Sequence, residues 1–91
     1  MTPLEVLRAT KERLSSPRRW RKGGGTTGGR ACLVNSIPGE GKVLWMRVTP
    51  LLRAVLPVGF DDLGCFNDAP HTTYRDIIAL LDRAIALAEE E

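Results

Sequence analysis

The sequence predicts a mainly α-helical fold, one small domain of three to four helices around a Leu/Ile/Val core. Three observations carry this expectation. Helix-start signatures stand near both ends of the chain, and an apolar stripe at helical spacing runs from Ile77 to Ala88. The 91 residues contain no internal repeat and no second domain.

The first helix opens on Thr2, Pro3 and Glu5. These supply a hydroxyl to cap, proline at the first helical position and glutamate three residues after the cap. Leu4, Leu7 and Leu14, with Val6 and Ala9 beside them, give it an apolar face, and Ser15-Ser16-Pro17 ends it. "RRWRKGGGTTGGR" follows, with five glycines from Gly23 to Gly29, so residues 23–29 read as a flexible glycine-rich loop.

"ACLVNSI" is an apolar run of ambiguous period, a buried strand or two helical turns. It leaves room for a short extended pair or hairpin in residues 31–48. "PGEG" reads as a turn, and Pro50 interrupts "KVLWMRVTPLLRAVL", so that Thr49-Pro50 starts a short helix to Leu56. "PVGFDDLGCFNDAPHT" reads as irregular. The last helix is capped by Thr72 or Thr73, with Asp76 near its positive end. Ile77, Ile78, Leu81, Ala84, Ile85 and Ala88 form its stripe.

Composition narrows the function classes. Apolar residues make up 43% and charged residues 26% of the chain, ordinary values for a globular domain. A chain this short buries only roughly 60–65% of its unfolded surface. Five aromatics make large rings scarce, so the first and last helices are expected to pack together with Trp20, Trp45 and Phe66 closing the ends. No apolar run approaches the roughly 20 residues that span a bilayer, and the N-terminus lacks the apolar centre of a signal peptide. The expectation is a cytoplasmic protein without a membrane partner, its Cys32 and Cys65 kept as buried thiols. The net charge of +2 conceals a polarity. Residues 1–30 carry a balance of +6 and residues 31–91 a balance of −4. This suggests either a basic face for an anionic partner or attraction between the chain's own ends.

The motifs that carry chemistry are few. "NSIPGEGKV" resembles a phosphate-binding loop in Gly41-Lys42, but Val43 replaces the hydroxyl that would hold magnesium, so a surface turn is expected. Arg18, Arg19, Arg21 and Lys22 flank Trp20. The cations suit phosphates and the indole suits base stacking, yet Trp20 is also a valuable core ring for packing against the first and last helices. Cys32, Cys65 and His71 lack the spacing of a zinc site and offer no oriented nucleophile, so no metal and no cofactor are expected. Asn67, Asp68 and His71 suit either a small polar site before a helix or a structural turn shaped by side-chain-to-backbone bonds.

"LGCFNDAPHTTYRDIIALLDRAIALA", Leu63 to Ala88, resembles the C-terminal signature of a family of small uncharacterised proteins of actinobacteria and their phages. The likeness rests on Phe66, Asn67, Asp68, Pro70, Thr73 and the run Leu81 to Ile85. "GGRACLVNSI" and "LSSPRRWRKG" are similar to that family's central and Pro-x-x-Trp segments, although Asn35-Ser36 stand where it usually has Gly-Ala. The resemblance implies a mainly helical protein and no particular activity. With small size and no catalytic constellation, the expectation is a non-enzymatic regulator or inhibitor with a macromolecular partner, most readily a protein. It would bind through Arg18, Arg19, Trp20, Arg21 and Lys22. Nucleic-acid binding through the same patch is the alternative.

Overall fold

In the computed structural model, residues 2–23, 26–27, 29–37 and 42–90 are described. The first helix, α1 (Pro3–Arg13), starts as its residues dictate. The Thr2 hydroxyl accepts from the Glu5 amide while the Glu5 carboxylate accepts from the Thr2 amide. A single turn of 3₁₀ helix (Pro17–Arg19) follows, then an antiparallel pair of two-residue strands, β1 (Thr26–Thr27) and β2 (Arg30–Ala31). Gly29 closes their turn at φ 78°, a conformation that glycine adopts without a steric penalty. Helices α2 (Leu33–Ser36), α3 (Lys42–Ala54), α4 (Leu63–Asp68) and α5 (Tyr74–Glu89) complete the fold.

The mainly helical expectation holds, as do the caps of the first and last helices. Thr73 and Asp76 form a second reciprocal capping box at the start of α5. Three segments depart from the sequence reading. The extended pair lies at 26–31, sharing only Ala31 with residues 31–48, because Gly29 supplies the positive φ that its turn uses. The chain from 33 to 36 and from 42 onward is helical instead.

Pro50 does not start a helix. It sits inside α3 on the exposed face, where the Met46 carbonyl that loses its amide partner belongs to a residue 69% exposed. Val48, Thr49, Leu51 and Leu52 are buried on the other side, so packing holds the helix through the break. The stretch taken as irregular contains α4. Its Asp62 side chain caps the Cys65 amide, and Leu63, Phe66 and Asn67 face inward at helical spacing.

α1 packs on α5, and α3 packs on both. Val6, Leu7, Leu14, Leu33, Leu52, Ile77, Leu80, Leu81 and Ala84 are essentially sealed from solvent in one core. The Tyr74 hydroxyl donates to the Leu14 carbonyl, fastening the end of α1 to the start of α5. At the surface Lys11 pairs with Asp82 at 2.6 Å and Arg8 with Glu89 at 3.7 Å. Both pairs are half exposed and contribute about 0–1 kcal/mol each. Trp45 lies in α3, in the part whose side chains are outside the description. The candidate phosphate turn at 38–41 is also outside the described residues.

Leu52→Ala should lower unfolding free energy by about 2–5 kcal/mol in urea denaturation, since Leu52 is wholly buried. A change within about 0.5 kcal/mol, the size of a typical surface substitution, would contradict the packing of α3.

Candidate basic surface and its anchor

The basic segment after α1 is held on the fold by one side chain. Asn67, 1% exposed on α4, uses its amide on both sides. Its Oδ1 accepts from the Trp20 indole Nε1 at 2.6 Å and from the Leu33 amide at 3.0 Å. Its Nδ2 donates to the Arg21 carbonyl at 3.1 Å and to Asp68 Oδ1 at 2.9 Å. The full hydrogen-bonding capacity of the amide is thereby used, which is the condition for burying such a group without loss. The bond to Leu33 also satisfies the first amide of α2, one of the donors a helix leaves unpaired.

Around this centre the chain from Trp20 to Gly23 runs as a strap. On one edge Trp20 bridges to Ala31 and the Arg21 amide donates to the Ala31 carbonyl at 3.1 Å. On the other, the Gly23 amide donates to Asp68 Oδ1 at 2.7 Å. Lys22 Nζ reaches the carbonyls of Ala69 at 2.6 Å and Pro70 at 3.2 Å. Asp68 is held below the ordinary carboxylate value of 3.8, first by the Gly23 amide, then by the Asn67 amide, with Lys22 and Arg21 adding to the effect.

The five residues expected to form a binding patch therefore divide. Trp20 is half-buried against the core and its N–H is committed to Asn67 of α4. Lys22 is engaged with the carbonyls after α4, and the Arg21 Nε donates to the Lys22 carbonyl. Arg18 and Arg19 stay exposed on the 3₁₀ turn. Two cations not singled out from the sequence, Arg13 and Arg30, line one surface hollow of about 290 Å³ together with Arg19 and Asn35. Among the described residues no acid pairs with Arg13, Arg18, Arg19 or Arg30, in contrast to Arg8 and Lys11. The local sequence could flag Arg30 only as a charge beside a glycine turn, since the hairpin brings it to Arg13 and Arg19.

The second candidate cluster is split as well. Asn67 and Asp68 belong to the strap's anchor, whereas His71 is exposed and lines a separate hollow of about 460 Å³ with Phe60, Phe66 and Arg83. Cys32 is buried and caps α2, but Cys65 is exposed, contrary to the expectation of two buried thiols. It lies on the outer face of α4, with nearby Asp62 foremost in pushing its thiol pKa up. Among the described residues no three His, Cys, Asp or Glu gather to hold a metal. None of their helices is long and apolar enough to cross a membrane.

Fold and surface together define a small helical protein with an amide-anchored basic strap. The chain belongs to the family of unknown function DUF6197, whose model matches residues 1–87. No curated protein and no solved structure matches it.

Two outcomes follow from the anchor. Asn67→Ala should cost about 2–4 kcal/mol in urea denaturation, because it strands buried donors, while Trp20→Phe should cost about 1–2 kcal/mol. An Asn67→Ala protein as stable as wild type would overturn the anchor. A carboxylate whose folded pKa is depressed stabilises fully above its unfolded value, and that contribution disappears as pH falls through the lower folded one. Asp68 should therefore loosen the strap only as pH drops below about 3.8. Trp20 fluorescence in the wild type should report the change, and Asp68→Asn should shrink it.

Proposed function

We propose that this is a non-enzymatic interaction protein that binds an anionic macromolecule through the basic face bearing Arg13, Arg18, Arg19 and Arg30. The observation that carries the reading is that these guanidiniums are exposed without an acidic partner among the described residues. Exposed arginine is well suited to such contacts, because its planar fork meets carboxylates and phosphates in pairs of hydrogen bonds. The anchored strap supports it further, since a fixed backbone presents Arg18 and Arg19 with less ordering cost on binding. Asn67 and Asp68 are engaged in hydrogen bonds within the fold, which supports a non-enzymatic reading. The likeness of the C-terminal signature to proteins of actinobacteria and their phages favours a regulator or inhibitor, phage-associated and acting in the cytoplasm.

The test is capture from a bacterial lysate by tagged wild type and by Arg18→Glu/Arg19→Glu, each with and without nuclease. The variant should melt where wild type does, both residues being exposed, and should lose the captured partner. Capture unchanged by the double charge reversal would contradict the reading.

A further inference from the structure

Within that basic face, the geometry points to a specific seat for the phosphodiester backbone of a nucleic-acid duplex. We infer that Arg13, Arg19 and Arg30, around the hollow of about 290 Å³, grip its phosphates. The inference rests on the basic-face reading and adds the ligand's chemistry. The three cations come from the end of α1, the 3₁₀ turn and β2, so separate elements surround one concavity. Three arginines from separate elements around one concave surface suit successive phosphates of a backbone, each met by one guanidinium fork, better than a single planar carboxylate. The exposed Asn35 amide adds a neutral polar group to the wall. At the turn between the strands, a side chain on Gly29 would meet nothing within 4 Å, so the backbone there is open to close approach. Among the described residues no acid lines this hollow, and Glu12 lines the adjoining one with Arg13 and Arg19.

The choice of a duplex over a single strand comes from the aromatics. Single-strand binders stack bases on exposed rings. Here the Trp20 indole is bonded to Asn67, Phe60 and Phe66 pack edge to face at 5.3 Å, and Tyr74 is tied to Leu14. Among the described side chains no ring belongs to the hollow, so recognition falls to phosphate contacts, which are sequence-independent.

Fluorescence anisotropy with labelled mixed-sequence DNA and RNA duplexes, and the matching DNA single strand, tests this between 50 and 200 mM salt. Three phosphate contacts give a log–log slope of about −2.7 and a roughly 40-fold loss of affinity over that range. Arg13→Gln/Arg19→Gln/Arg30→Gln, checked for an unchanged melting temperature, should flatten the slope to about −1 or abolish binding. A preference for the DNA or the RNA duplex identifies which backbone geometry fits the seat, and either supports it. Binding and slope unaltered in the triple variant would overturn the seat. So would stronger binding to the single strand, or no binding to either duplex at about 100 μM protein in 50 mM salt. A nuclease-resistant partner lost in Arg18→Glu/Arg19→Glu, with both duplexes unbound, would overturn the phosphate seat while leaving the basic-face reading intact. Capture indifferent to those two arginines would remove the reading beneath it.

Discussion

A single buried amide organises the half of this molecule that carries the basic segment. Asn67 joins segments 47 and 34 positions away in sequence, Trp20 and Leu33, and does so from a helix of only six residues. An unpaired polar group in that place would cost about 1–3 kcal/mol for each stranded donor or acceptor. The same expense makes the arrangement selective: only a chain path that satisfies the amide can occupy the space beside α4. The strap, the start of α2 and the register against Ala31 are consequences of that one requirement.

The charges divide along the same line. Arg8 and Lys11 on α1 meet Glu89 and Asp82 on α5, so part of the polarity between the basic start and the acidic end is consumed within the fold. From the end of α1 onward, the cations of this stretch have no such neighbours among the described residues. Arg13, Arg18, Arg19 and Arg30 remain in water, where screening limits their mutual repulsion to a modest cost. The charge pattern therefore divides: attraction between the ends along α1, and exposed cations beyond it.

What was legible in the sequence was local. Thr2-Pro3-Leu4-Glu5 and Thr73 with Asp76 carry their helix starts within four residues, and both caps formed. What escaped depends on neighbours distant in sequence. Pro50 argues against a helix by its own geometry, but burial of Val48, Leu51 and Leu52 on the opposite side outweighs a bond lost at the exposed Met46. The segment before α5 looked irregular because Gly64 and Pro70 dominate it, although Leu63, Phe66 and Asn67 already stood at helical spacing. Asn67 and Asp68 stand out as a polar pair, and the structure places them on α4 with hydrogen bonds to the distant strap instead of within a local turn. That Asn67 would meet Trp20 could not be read from either segment alone. Arg13 and Arg30 joined the basic face for the same reason, since only the hairpin brings them together.

The most direct test of the anchor is hydrogen exchange followed by NMR on the intact protein. The Trp20 indole N–H and the Leu33 amide both donate to Asn67 Oδ1, so both should exchange far more slowly than in an unstructured chain. Protection of the two should also rise and fall together as denaturant is added. An indole proton that exchanges at the unprotected rate while Leu33 stays protected would mean that Trp20 is free of α4, and that the basic strap is not held as described.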